Sequence, residues 1–314
     1  MDVPTAFLHS RRNDKLPPVY MILGPEVAEV LVDKFSEMKL YLRHDGSMLV
    51  SVDGGIYGLV ESANLWNREV TAHLLEDKML KQSKIDPCLF TSLNVVVTLY
   101  VDDLLVAGTE ENVLMVYNKL CAKYGKCKFN AGPKVPFLGM TFDFSTKEQL
   151  RVSMDMPSVV HTMDKTSDSP ASLNLFQVEK QQPLLEKNHA EVFHSIVAKL
   201  LYVTNRVRPD IMLAINFLCS RIGNVTMEDE MKLKRVLRYL QATLDHELVL
   251  KIDVNERGEI PINVYIDASY ATHSDCKSHS GVFITIGEGP ILAKSSKQKC
   301  VSKSSTEAEL ADSR

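Results

Sequence analysis

Val95-Val96-Val97-Thr98-Leu99-Tyr100-Val101-Asp102-Asp103-Leu104-Leu105-Val106-Ala107 is the stretch that decides how this chain is read. Strands are built from β-branched and aromatic residues and bounded by turn formers, so two such runs interrupted by acids predict a hairpin with paired carboxylates at its tip. Taken alone, an Asp-Asp pair at a turn is a solvated turn, because Asp tolerates turn conformations and bonds its own backbone. The flanks move the balance. With apolar residues on both sides the hairpin is predicted to be largely buried, and two carboxylates near a buried tip repel unless a cation compensates them. Magnesium takes oxygen ligands and leaves room for substrate phosphates, which suits nucleotidyl transfer. A further carboxylate stands at the start of the chain, where Asp2 heads the short apolar segment Val3-Pro4-Thr5-Ala6-Phe7-Leu8.

Asp2 to Leu8, Ile56-Tyr57-Gly58-Leu59 with Trp66, Asp86-Pro87-Cys88-Leu89-Phe90, Tyr100 to Gly108 and Phe137-Leu138-Gly139-Met140 resemble, in order and spacing, the reverse transcriptase of copia-type LTR retrotransposon Pol polyproteins. Leu200-Leu201-Tyr202, Arg208-Pro209-Asp210-Ile211 and the run from Leu233 to Leu240 resemble the connecting region of the same polyproteins. Asp267-Ala268-Ser269-Tyr270, Lys277-Ser278-His279-Ser280-Gly281, Lys294-Ser295-Ser296-Lys297-Gln298 and Ser304-Ser305-Thr306-Glu307-Ala308-Glu309-Leu310 resemble the opening of their ribonuclease H domain. The resemblance spans nearly the whole chain and is weakest over 164–187.

The fold class implied is α+β: a reverse-transcriptase palm of antiparallel sheet with packed helices over 1–144, a thumb remnant or linker over 145–187, a helical connection over 188–260, and a partial ribonuclease H-like α/β sheet over 261–314. Local patterning predicts a first strand carrying Asp2, helices over 63–79, 110–124, 190–202, 209–222 and 227–242, and a hairpin over 134–144. The alternating segments Ile262-Asn263-Val264-Tyr265-Ile266-Asp267 and Gly281-Val282-Phe283-Ile284-Thr285-Ile286 predict strands. Residues 145–187 are rich in Ser, Asp, Lys and Pro with poor periodicity, hence the linker reading.

The resemblance also implies roles. Asp2 and Asp102, with Asp103 close by, are the carboxylates expected to hold two magnesium ions, manganese being an alternative. Phe7 matches the aromatic that excludes a ribose 2′ hydroxyl, and Tyr100 adjoins the tip. Asp267 and Glu309 match the first metal-binding acids of ribonuclease H, and Glu307 is read as a bystander. The implied partners are an RNA template, a DNA primer, deoxynucleoside triphosphates and an RNA–DNA hybrid; the sequence gives no oligomeric state.

Charge is less favourable to that reading. The chain has 314 residues and a formal net charge of −4, which is not the balance of a strong nucleic-acid binder. Between Met231 and Leu244 the apolar positions Leu233, Val236, Leu237, Leu240 and Leu244 fall on one helical face, leaving Lys232, Lys234, Arg235 and Arg238 as a basic, exposed surface for nucleic acid. Lys277, Lys294, Lys297, Lys299 and Lys303 form a second basic group. A charge run with no other signal is a solvated face.

No apolar stretch approaches the roughly 20 residues a membrane span needs, and Met1-Asp2 lacks the order of a signal peptide, so an intracellular protein of the cytoplasm or nucleus, without a membrane, is expected. The 6 cysteines show no close-paired framework and suit reduced thiols. His273, Cys276 and His279 are spaced like zinc ligands but supply too few of them, so the zinc reading is set below a plain loop.

Departures from the family count as well. The family carries a fingers region ahead of the first acid, with cations that hold the triphosphate, whereas this sequence begins one residue before Asp2. A terminal Asp2 is expected to fray, beside an α-amino group largely cationic at its ordinary pKa of roughly 7.7–8.0. Val60-Glu61-Ser62-Ala63 stands where many relatives have Lys-Gln-Ala-Pro, and Gly54-Gly55 where Lys-Ala is usual, so cations are missing. The last acids of the ribonuclease H set would follow Arg314, so no RNA cleavage is expected. An exposed edge is expected in its half-sheet. Two functions follow: an RNA-directed DNA polymerase fragment of a polyprotein, or a non-catalytic remnant that at most binds nucleic acid.

Overall fold

The computed structural model describes residues 1–12, 17–179 and 182–312. The chain folds as two units, Met1–Asn130 and Ala131–Arg314. In the first, β1 (Tyr20–Leu23), α1 (Pro25–Lys34) and β2 (Met48–Ser51) form a small outlying piece whose two strands pair antiparallel. Then come α2 (Ser62–Leu75) and the strands β3 (Lys81–Gln82), β4 (Leu89–Thr91), β5 (Val95–Tyr100) and β6 (Asp103–Gly108), followed by α3 (Glu110–Tyr124). β3 to β6 make an antiparallel sheet in sequence order.

The spacing of apolar side chains explains this packing. On α2, Trp66, Val70 and Leu74 recur every four residues and are buried, and on α3 Val116 and Leu120 do the same. They share one core with Phe90, Val97, Leu99 and Leu104 of the sheet. Along β5 the period is two: Val95, Val97 and Leu99 are buried, Val96 and Tyr100 exposed. The hairpin, predicted to be largely buried, is buried along β5 on one face only; apolar content does not say which side of a sheet carries helices.

In the second unit β7 (Lys134–Phe137) and β8 (Met140–Asp143) form a hairpin through Leu138 and Gly139, both with positive φ (52° and 73°), the conformation a two-residue hairpin turn requires. β9 (Leu150–Met154) pairs with β8. The helices α4 (Lys187–Thr204), α5 (Met212–Arg221) and α6 (Met227–Ala242) pack around Val197, Leu200, Ile215, Leu218, Leu233, Val236 and Leu240. Thr226 caps α6 through a reciprocal bond pair with Asp229. β10 (Leu248–Leu250) returns to β9, giving the sheet order β10-β9-β8-β7. β11 (Ile262–Ser269), β12 (His279–Ile286) and β13 (Pro290–Lys297) form a separate antiparallel sheet, and α7 (Ser305–Asp312) packs on β11. β11 is an edge strand with Ile262, Val264, Tyr265 and Ile266 exposed.

Helices with antiparallel sheets are the α+β class read from the sequence. The helices expected over 110–124 and 227–242 are α3 and α6. The one expected over 209–222 is a 3-10 turn, Pro209–Ile211, leading into α5. Residues 145–187 carry more structure than a linker, since β9 lies there and Val160 and Leu175 enter the helical core. β9 alternates apolar and polar residues, Leu150-Arg151-Val152-Ser153-Met154, within surroundings rich in Ser, Asp and Lys, and pairs with β8 just before it and with Leu248–Leu250 far along the chain. Among the described residues no helix is long and apolar enough to cross a membrane.

Candidate active site

Tyr100 pairs with Asp103, leaving Val101-Asp102 as a two-residue turn at the tip of β5–β6. Val101 lies at φ 56°, a left-handed conformation that a β-branched residue adopts at a cost on the order of 1–3 kcal/mol. Packing holds it there. The indole Nε1 of fully buried Trp66 donates to the Val101 carbonyl, so α2 pins the tip from below.

The start of the chain docks beside this turn. The Met1 α-amino group donates to Leu104 O at 2.8 Å, Leu104 N donates to Met1 O at 2.8 Å, and Val3 N donates to Asp102 O at 3.0 Å. On its other side Asp2 exchanges backbone bonds of 3.0 Å with Lys128. Asp2 is thus an isolated bridge residue between Asp103 and Lys128, not part of a strand, and it is held where fraying was expected. Burial lowers the pKa of the Met1 α-amino group, against the pull of Asp103 and Asp2, so it is less cationic than its sequence position suggests.

The electrostatics of the tip are crowded. Burial raises the pKa of Asp103, and the neighbouring Asp102 and Asp2 raise it further. Two cations oppose this, the Met1 α-amino group and Lys128, whose Nζ lies 2.7 Å from Asp2 Oδ2; that bond raises the lysine pKa. Lys128 escaped the sequence reading because it stands in 125–130, a stretch with no motif, and only the backbone pairing with Asp2 brings it in. Hard carboxylate oxygens that repel one another fit a divalent cation. Among the described residues, however, no three His, Cys, Asp or Glu side chains converge to hold a metal ion, and Lys128 engages the Asp2 carboxylate.

Phe7 belongs to the 3-10 turn Ala6–His9, and its ring lies 5.0 Å from that of Tyr57. This close packing accounts for Gly55: a Cβ there would lie 2.7 Å from Phe7 O and 2.5 Å from Ser10 Oγ, a clash. Gly54-Gly55 costs a cation yet admits the Phe7 turn. Glu61 likewise does not stand alone, because Arg12 Nε approaches its Oε1 at 2.6 Å. Tyr100, 54% exposed, stands next to the tip on the outer face of the sheet.

Residues 1–173 match the family described as "Reverse transcriptase (RNA-dependent DNA polymerase)", more than half of the chain. The chain belongs to the reverse transcriptase family. It is 29% identical, over 98% of its length, to the retrovirus-related Pol polyprotein from transposon TNT 1-94 of Nicotiana tabacum. To that from transposon RE2 of Arabidopsis thaliana it is 28% identical, again over 98% of its length. It spans 23% of the tobacco polyprotein and 20% of the Arabidopsis one. A putative transposon Ty5-1 protein of Saccharomyces cerevisiae is 25% identical over 98% of this chain and 96% of its own length. The copia-type retrotransposon Pol resemblance read from the motifs is thereby borne out.

In the second unit of this reverse transcriptase-family chain, Asp267 lies on β11 and Glu309 on α7, both exposed. The packing of α7 on β11 brings them close, Ala268 N donating to Glu309 Oε1 at 3.3 Å. Glu307 accepts from Lys303 N at 2.6 Å, a bond at the start of α7.

The basic surface read on α6 is largely spent inside the unit. Lys232, 10% exposed, bonds Glu228 at 2.8 Å and Gln177 O at 2.6 Å, and its ammonium lies over the Phe217 ring. Lys234 pairs with Glu230 at 2.9 Å, and Arg235 bonds Ser169. Helical periodicity gives the face a residue occupies, but not the loop that folds over it. In the second basic group Lys297 pairs with Asp275 at 2.8 Å.

The spacing that suggested zinc serves another purpose. His273 Nε2 lies 3.0 Å from His279 Nδ1, and His279 Nε2 lies 2.7 Å from Ser295 Oγ. Both rings are buried and pack against Phe176, while Cys276 is exposed. Burial and the neighbouring imidazole push the His279 pKa down to about 4.

Proposed function

We propose that the first unit is the metal-binding palm of a copia-type RNA-directed DNA polymerase. The observation that carries this is the backbone register that sets Asp2 against Asp103 at the tip of the β5–β6 hairpin, where Asp102 completes a crowded carboxylate group. Asp2, Asp102 and Asp103 are the residues that would hold magnesium or manganese, which would supply activation of the primer 3′ hydroxyl and charge neutralisation at the triphosphate once the three side chains are drawn together. The chain's own residues do the rest. The Trp66-pinned turn fixes the carboxylates, Phe7 takes the space of a ribose 2′ hydroxyl so that deoxynucleotides are chosen, and Tyr100 meets the substrate beside the tip. Lys128 engages the Asp2 carboxylate, and a metal at these acids would have to displace it.

In the second unit, the helices α4 to α6 serve as the connection, with Lys234, Arg235 and Arg238 toward the backbone of the RNA template, DNA primer or their hybrid. β11 to β13 with α7 are the opening of a ribonuclease H-like domain in which Asp267 and Glu309 are metal-binding acids; their approach through α7 supports this part. A second reading, a non-catalytic nucleic-acid-binding protein, is favoured by the Lys128 contact on Asp2.

Primer extension on an RNA template separates the two, run together with a Mn2+ titration followed by electron paramagnetic resonance. Extension lost in Asp102→Asn establishes the polymerase. Mn2+ binding lost in that variant, without extension by the parent chain, selects the non-catalytic reading. A chain that neither binds Mn2+ nor extends a primer refutes the palm assignment.

A further inference from the structure

We propose that a pocket on α6 in the second unit is a binding site for a phosphate group. It has a volume of about 430 Å³ and is lined by Lys232, Arg235 and Arg238, by the hydroxyl residues Thr166 and Ser172, and by Glu228. The charge balance leaves a surplus. The one lining carboxylate, Glu228, pairs with Lys232 at 2.8 Å, and among the described residues neither Arg235 nor Arg238 forms an ion pair. Arg235 is held in place, Nε donating to Ser169 O at 3.2 Å and Nη2 to Ser169 Oγ at 3.0 Å. Its plane is fixed before any ligand arrives.

Arg238 carries the inference. Its Nε is buried and has no hydrogen-bond partner among the described residues. A buried guanidinium donor left unmet is costly, and native structures satisfy such groups with protein, water or ligand. Gln241 Oε1, three residues on, is also buried and unpartnered, but Gln241 does not line the pocket. An oxyanion seated between Arg235 and Arg238 would accept from Arg238 Nε and also from the hydroxyls of Thr166 and Ser172. Guanidinium groups match phosphate as planar forks, and the oxygens of a tetrahedral phosphate can meet two forks and a hydroxyl together. The volume leaves room for a sugar attached to that phosphate. The site deepens the nucleic-acid reading of α6 and rests on it only for the source of the phosphate, a backbone or a free phosphate compound.

Inorganic phosphate is the first probe, with sodium chloride of equal ionic strength as reference, read by thermal unfolding of the full chain and by phosphorus NMR line broadening. Phosphate is expected to bind saturably and to raise the unfolding temperature beyond the chloride effect. Arg238→Gln is expected to weaken binding by about tenfold or more, the loss of a charge-assisted hydrogen bond. Thr166→Glu leaves every cation in place and is expected to abolish binding by repulsion, which keeps the test decisive if Arg238→Gln fails to fold. Lys251→Gln, the same charge change outside the pocket, is expected to leave binding unchanged. Phosphate acting no differently from chloride, or binding that survives both Arg238→Gln and Thr166→Glu, overturns the site. Fluorescence anisotropy with an RNA–DNA hybrid then identifies the source. Parallel loss of hybrid and phosphate binding in Arg238→Gln assigns a backbone phosphate, and loss of inorganic phosphate alone assigns a free phosphate compound.

Discussion

The acids of the β5–β6 tip and the histidines between β11 and β13 are both polar clusters, yet the fold handles them in opposite ways. At the tip, charge is concentrated: Asp2, Asp102 and Asp103 are set side by side by backbone pairing, and the compensating cations are the Met1 α-amino group and Lys128, an exposed side chain. At the histidines, charge is excluded, because His273, His279 and Ser295 satisfy one another as a neutral chain under Phe176. A polar group kept for stability is buried and bonded, whereas one available for chemistry is held by its backbone with its side chain left for a ligand.

The largest effect that would break this contrast is at Trp66, the lone tryptophan of the chain, which both fills the core and pins the tip. Trp66→Ala is expected to destabilise the first unit by about 3–5 kcal/mol, read by denaturant titration with circular dichroism, and to remove Mn2+ binding with it. Survival of Mn2+ binding at full affinity would mean that the tip holds its own shape.

Next comes acid. A histidine whose folded pKa is lowered to about 4 binds fewer protons folded than unfolded between that value and about 6.5, so stability rises with pH across this window and is lost as pH falls. The second unit is expected to lose on the order of 3 kcal/mol between pH 7 and pH 4, a loss that His279→Asn removes. Tryptophan fluorescence follows the first unit alone, since Trp66 belongs to it, and circular dichroism follows both. A pH slope unaltered by His279→Asn would assign the acid sensitivity elsewhere.

Smaller is the strain at Val101. Val101→Gly relieves the left-handed conformation at some cost in unfolded-state entropy, and a net gain of about 1 kcal/mol is expected in the midpoint of fluorescence-detected unfolding. Smallest is Lys128→Met, which frees the Asp2 carboxylate. Mn2+ affinity is expected to rise several-fold by electron paramagnetic resonance titration, and a fall would make the ammonium a support of the site, not a competitor for it.

Much of this was legible because it is local. Alternation along β5 and four-residue spacing on α3 and α6 are properties of neighbouring residues, and the turn at Val101-Asp102 announces itself by acids between apolar runs. Lys128, the covering of α6 by residues 166–177 and the pairing of β9 with β10 were not legible, because each joins segments far apart in sequence.

The sequence by itself determined the family, the class of fold and the acids that stand at the hairpin tip, since motif order and periodicity survive without coordinates. Only the tertiary structure decided that Asp2 is docked, that Lys128 sits on it, that Lys232 and Arg235 of α6 bond residues 169–177 folded over the helix, and that two histidines spaced like zinc ligands bond each other instead. Hydrogen bonds and ion pairs act over a few ångströms of space, and no pattern of sequence separations fixes which distant residues come within that reach.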